Sequence, residues 1–219
     1  ERLISGRKIR SARVLRARNI ATPDAAMFVR SISGRRITRV RRRAKWLIVE
    51  LNGGIALLIH LRMTGQLLLL PKDAPIDRYV RVTFLLDDGR ELRFRDVRAF
   101  GRLALVALRD DGDPASSLDP NDPPLLGSHG PEPLERAFTA DLLGGILARR
   151  PGRLKSILLD QRCIAGIGNI YADEALWRAQ LHPLAAGSSL RRDEVKRLHR
   201  AIVGVLREAV RARGSSIDD

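Results

Sequence analysis

The sequence predicts an α+β protein, an N-terminal β-sandwich followed by a helical domain with a helix-two-turns-helix motif. Three observations carry this. Short β-branched runs separated by Asn-Gly and Asp-Gly turns fill the first half, apolar residues at helical spacing fill the second, and six of the eleven prolines fall in residues 113–133 without a periodic pattern. The reading is a β-rich domain over 1–112, a linker over 113–133 and a helical domain over 134–219.

Residues 8–18 read as a strand in which Ile9, Val14 and Leu15 sit among arginines. Thr22-Pro23-Asp24 opens a short helix over 25–32 with Asp24 as its cap, and Ser33-Gly34 closes it. Residues 35–51, the turn Asn52-Gly53-Gly54 and residues 55–61 predict a β-meander with Trp46, Ile48, Leu57 and Ile59 in the core. The pattern breaks over 61–66 and resumes over 67–70. Residues 79–86 and 90–95 flank Asp87-Asp88-Gly89 as the clearest hairpin, 96–101 is a loop, and 103–108 is a last strand. Beyond the linker, 134–148, 154–161, 169–180 and 189–213 read as helices. The last carries Val195, Leu198, Ile202, Val205, Leu206, Ala209 and Val210 on one stripe, closed by Gly214.

Forty Lys and Arg against 25 Asp and Glu give a net charge of +15, which calls for a polyanionic partner. Nucleic acid is the first candidate and an anionic membrane the second, but no apolar run is long enough to span a bilayer. Only 5 of the basic residues are lysines, so Lys45 and Lys155 stand out against an arginine-biased background. Seven basic residues and no acid lie between Arg35 and Lys45, a density that faces water or phosphate. The single cysteine, Cys163, excludes an intrachain disulfide framework and a multi-cysteine zinc site within these residues, and a reducing intracellular compartment follows as the default. No apolar signal-peptide core is visible. The chain starts at Glu1 on what reads as the tail of a helix and stops at Asp219 just after another, so further chain is expected at both ends.

The most informative stretch is 152–183. Two helical patterns flank the turn 162–168, where Gly168 permits close backbone approach and Asn169 reads as an N-cap whose amide can donate outward. The helix N-terminus, with Lys155 on the preceding helix, makes a seat for an anion, and a phosphate fits it. A bare Gly-x-Gly-Asn would favour the plainer reading, a helical hairpin with an ordinary cap.

Four segments decide between these readings: RRRAKWL at 41–47, IHLRMTGQL at 59–67, DVRAFG at 96–101 and LLDQRCIAGIGNIYADE at 158–174. Together they resemble the formamidopyrimidine-DNA glycosylase and endonuclease VIII family of base-excision repair enzymes, closer to the former. The resemblance implies a bifunctional glycosylase and AP lyase that removes oxidised purines from duplex DNA through a Schiff base, working as a bacterial cytoplasmic, nucleoid-associated monomer. It implies that Met63 and Phe100 wedge into the gap left by a flipped nucleotide while Arg98 hydrogen-bonds the orphaned base, and that Lys45 contacts phosphate near the lesion and assists catalysis. Arg150, Lys155, Gly168 and Asn169 fall on the family's phosphate grip, Tyr171 beside it, and Glu174 on a polar position supporting the active site. His60 reads as a structural histidine.

The family's Pro-Glu opening, whose proline amine is the nucleophile, is not in these residues, nor is its four-cysteine zinc finger. No catalytic cofactor is implied; a structural zinc is expected in the complete protein and no metal in this chain. Arg62 stands where many members have glycine, and Val97 and Ala99 replace the commoner proline and arginine. Two rivals remain, an endonuclease VIII type acting on oxidised pyrimidines and a non-catalytic nucleic-acid-binding protein that uses the same helical motif.

Overall fold

In the computed structural model, residues 2–109, 114–117, 129–212 and 214 are described. They fall into two units, Glu1–Leu126 and Gly127–Asp219. The first is built from two sheets. One takes β1 (Ile9–Val14), β7 (Val80–Leu86), β8 (Arg90–Asp96) and β6 (Gly65–Pro71) in that order. The other takes β10 (Pro114–Ser117), β9 (Arg102–Leu108), β5 (Ile55–His60), β4 (Trp46–Leu51) and β3 (Ile37–Arg43), with β2 (Ile20–Thr22) parallel to β9.

Alternation along these strands turns Val82, Phe84, Leu92 and Phe94 of the first sheet toward Val49, Leu57, Ile59 and Leu103 of the second, forming one buried core. Phe28 and Ile32 of α1 (Ala25–Ile32) join it. The Asp24 carboxylate accepts from the Ala26 and Met27 amides at 2.9 and 3.0 Å, so the predicted cap starts that helix. Trp46, Ile48, Leu58 and Val106 form a second apolar cluster on the opposite face of β4, β5 and β9. Burial on both faces explains why those strands read as nearly continuous apolar runs.

The second unit packs α2 (Ala140–Ala148), α3 (Leu154–Leu159), α4 (Asn169–Ala179) and α5 (Arg192–Arg211) around Leu143, Leu158, Ile164, Leu176, Leu198 and Ile202. Several expectations need correction. The helix predicted over 134–148 begins only at Ala140, because the Thr139 hydroxyl caps it by accepting from the Leu142 amide at 3.1 Å, and prolines 131 and 133 disfavour helix just upstream. The last helix begins at Arg192, not 189, since the Glu194 carboxylate reaches back to the Arg191 amide at 2.8 Å. Val210, assigned to its apolar stripe, is exposed. Strand β10 pairs with β9 inside the stretch expected to be linker. Residues 118–128 of that stretch lie outside the described residues.

Candidate nucleic-acid interface

Met63, Arg98 and Phe100 meet in the first unit. The loop joining β5 to β6 carries Met63, which is 70% exposed, and the loop joining β8 to β9 carries Arg98 and Phe100. An Arg98 guanidinium nitrogen donates to the Met63 sulfur at 3.1 Å, and the guanidinium carbon lies 4.8 Å from the centre of the Phe100 ring. Two large apolar side chains and one cation, separated by 35 positions in sequence, thus stand exposed in one place. Arg62 at φ +57° and Ala99 at φ +54° bend the two loops through the left-handed region, which accounts for the glycine that many family members carry at the first of them.

Lys45 sits with Ala44 in the two-residue turn between β3 and β4, beside the basic run. The Lys45 pKa is held below the ordinary lysine value, first by desolvation among surrounding chain and second by the charge of Arg62, although the residue as a whole is exposed. The arginines of the run are less available than their density suggests. Arg41 pairs with Glu50 at 2.5 Å, while Arg35, Arg36 and Arg42 donate to the carbonyls of Asn52, Gly6 and Ala44. His60 packs edge-on to Trp46 at 5.0 Å, and its Nδ1 accepts from the Arg62 amide.

In the second unit, the Gln161 side chain organises the turn between α3 and α4, donating to the carbonyls of Leu159 and Ile167 and accepting from the Gly166 amide at 2.9 Å. Gly168, not Asn169, is the N-cap of α4. Its backbone is extended with φ −111°, and Asn169 is the first helical residue, exposed. The first intrahelical bond runs from the Ala172 amide to the Gly168 carbonyl, so the amides of Asn169, Ile170 and Tyr171 form the helix's donor end. Lys155 does not add a full charge there, because its ammonium is paired with the Asp173 carboxylate at 2.7 Å. Arg150 is exposed just past α2, Tyr171 is half-buried against the helical core, and Glu174 pairs with Arg178 at 2.9 Å.

The description "Formamidopyrimidine-DNA glycosylase N-terminal domain" matches residues 1–103, and "Formamidopyrimidine-DNA glycosylase H2TH domain" matches residues 129–219. The chain belongs to the formamidopyrimidine-DNA glycosylase family. Membership makes it a DNA-binding glycosylase of base-excision repair. Formamidopyrimidine-DNA glycosylase of Roseiflexus sp. (strain RS-1) is 44% identical over 217 residues, covering 99% of this chain and 76% of the relative, and that of Chloroflexus aurantiacus is 44% identical over 214 residues, covering 98% and 73%. A crystal structure of Lactococcus lactis Fpg with Fapy-dG-containing DNA has a TM-score of 0.87 at 32% identity, covering 99% of this chain and 78% of that one. The same protein with DNA containing an abasic site gives 0.86 at 32%, covering 99% and 76%.

Among the described residues, no three His, Cys, Asp or Glu side chains converge as a metal site, and the one cysteine is buried. Sequence reasoning missed the polar groups beneath the Met63 and Arg98 loops: Asn19, Thr64, Arg81 and Asp96. Thr64 and Asp96 lie within two of the segments that carry the family resemblance, but their partners are 32 positions apart, so no local spacing marks them.

Proposed function

We propose that this chain serves a bifunctional DNA glycosylase and AP lyase that removes oxidised purines, 8-oxoguanine and formamidopyrimidines, from duplex DNA through a Schiff base. The observation that carries the reading is Arg98 held between the Met63 sulfur and the Phe100 ring, with all three side chains exposed. Extruding a nucleotide from the stack costs a few kcal/mol, and a flexible thioether and an aromatic ring can occupy the vacated space. A guanidinium is the matching donor for the acceptors of an orphaned cytosine. The groups of this cluster bind and fill.

The covalent steps belong to an amine. In this family the amine of an N-terminal proline attacks C1′, the base leaves, and the resulting iminium acts as the electron sink for strand cleavage. Lys45, short of its ordinary proton affinity, pairs with phosphate beside the lesion and assists, while Asn169 and the α4 donor end bind phosphate with Arg150 and Lys155 nearby. Glu174 supports the site through the polar chain it shares with Arg178, and Tyr171 braces α4. The 219 residues by themselves bind lesion-bearing DNA as a monomer in the reducing interior of the cell and do not cleave it. Among the described residues no helix is long and apolar enough to cross a membrane.

Purine preference is supported by a structure of MutM with carbocyclic 8-oxo-G-containing DNA, which is 31% identical with a TM-score of 0.87 and covers 100% of this chain and 78% of that one. The test is binding of the 219-residue chain to duplexes carrying 8-oxoguanine opposite cytosine or thymine glycol opposite adenine, with borohydride trapping in parallel. The oxidised purine should bind more tightly and no covalent complex should form. Preference for thymine glycol would transfer the chain to the endonuclease VIII type, and a trapped complex would place a nucleophile within these residues.

A further inference from the structure

We propose that Asp96 and Thr64 are positioning residues that lock the Met63 loop to the Arg98–Phe100 loop, so that opposite-base discrimination by Arg98 depends on two side chains lying beneath it. The inference rests on the role given to Arg98 above and deepens it.

Strands β6 and β8 pair as far as Gly65 opposite Asp96, and there both chains leave the ladder. Beyond that point the sheet supplies no backbone bonds between them, and side chains take over. The Thr64 hydroxyl donates to Asp96 Oδ1 at 2.5 Å, and the Arg98 amide donates to the same Thr64 oxygen at 3.0 Å. The other carboxylate oxygen accepts from the Gly101 amide at 2.7 Å. One carboxylate therefore holds the base of one loop through Thr64 and the far end of the other through Gly101. Because a backbone amide only donates, a hydroxyl lone pair takes the Arg98 amide and the threonine proton points to Asp96. The relay has one direction.

The surroundings fix Asp96 itself. It is fully buried, and its backbone carbonyl accepts from Arg81 Nε at 2.8 Å while a second Arg81 nitrogen reaches the Val97 carbonyl at 3.2 Å. Asn19, also fully buried, donates to the Gly101 carbonyl at 2.8 Å. A methyl group on Gly101 would lie 2.4 Å from the Phe94 ring and 3.1 Å from Asp96 Oδ2, so the backbone cannot carry a side chain there without moving. A buried polar base thus sits under exposed tips: Met63 is 70% and Phe100 41% exposed. This is the arrangement needed to hold a recognition group in place before it meets DNA, because a rotamer-rich side chain that is already ordered loses less freedom on binding. Neither Asp96 nor Thr64 is required to touch the DNA for this to matter.

The test measures affinity of the 219-residue chain for duplexes containing a stable abasic-site analogue opposite cytosine or opposite adenine, and takes the ratio. Thr64→Val keeps the shape and removes the hydroxyl; Thr64→Ser keeps the hydroxyl; Arg98→Ala removes the reader. The ratio should fall roughly three- to ten-fold in Thr64→Val, the size expected when one long side chain must be re-ordered on binding. It should be restored in Thr64→Ser, with undamaged duplex bound equally by the two Thr64 variants and the parent. In the unaltered chain the Arg98 amide should exchange its hydrogen slowly despite its exposed loop, and fast exchange overturns the inference whatever the variants do. A ratio that collapses in Arg98→Ala but is unchanged in a folded Thr64→Val overturns the inference and leaves the reading of Arg98 standing. A parent chain that does not discriminate overturns both.

Discussion

The Arg98 guanidinium stands 4.8 Å over the Phe100 ring, a cation seated on an aromatic face at the exposed tip of a loop whose base is buried. Stacking restrains the guanidinium plane and leaves its edge to donate, which a lysine ammonium could not imitate. Arg98→Lys should therefore behave more like Arg98→Ala than like the parent. Either change should cost about 1–3 kcal/mol of discrimination between cytosine and adenine opposite the lesion. Competition binding with the two duplexes checks this; a lysine variant that reads the opposite base as well as arginine does would contradict it.

Lys155 is paired with Asp173 at 2.7 Å, so its charge is shared before any phosphate arrives. Asp173→Asn should strengthen DNA binding by removing both the competitor and a negative charge at the start of α4. Lys155→Ala should weaken binding to damaged and undamaged duplex alike and reduce the slope of log affinity against log salt by about 0.9. Titrations at several salt concentrations separate this from a lesion-specific effect.

Lys45 carries a pH prediction. Desolvation first, and Arg62 second, disfavour its charged form in the fold. The folded value lies below the unfolded one, so the unfolded chain holds more protons between them. Stability contributed by this group should accordingly rise with pH through that window, and it is absent below the folded value. An NMR titration of the Lys45 side chain should give a midpoint below that of an unstructured peptide lysine. Arg62→Gln should move it upward without full recovery, because desolvation is the larger cause. A midpoint at or above the peptide value would remove the basis for treating Lys45 as unusual.

Arg93 predicts a stability effect remote from DNA. It is 1% exposed, pairs with buried Glu91 at 2.7 Å, and donates to the carbonyls of Lys72, Ala74 and Pro75, tying the loop between β6 and β7 onto β8. Arg93→Met leaves a buried carboxylate and several carbonyls without their donor and should destabilise the first unit by about 3–5 kcal/mol. Adding Glu91→Gln should recover part of the loss. Urea unfolding followed through Trp46, which is buried in that unit, provides the readout.

These residues also mark what the sequence could reveal. Local signals were legible: the Asp24 cap, the Asn-Gly turn at 52–54 and the buried Trp46, Ile48, Leu57 and Ile59 all stand where spacing and turn chemistry put them. Boundaries failed where two signals competed. The helix read over 134–148 starts later, where Thr139 caps it, and the cap read at Asn169 is provided by Gly168. Long-range polar partners were invisible. An arginine in an alternating strand reads as solvent-facing, and nothing near Arg93 shows that the loop at 72–75 folds over it; the same holds for Asp96 and Thr64. The family resemblance supplied Met63, Arg98 and Phe100 as a set, which residue spacing alone would not have grouped.

The most direct test of the account is the affinity of the 219-residue chain for a duplex bearing an abasic-site analogue opposite cytosine, compared at fixed salt with the same duplex undamaged. Wedge and reader act only where a nucleotide leaves the stack, so the damaged duplex should bind at least about ten-fold more tightly, which is 1.4 kcal/mol. Equal affinity for the two would contradict it and reduce the interface to a basic surface that grips any phosphate backbone.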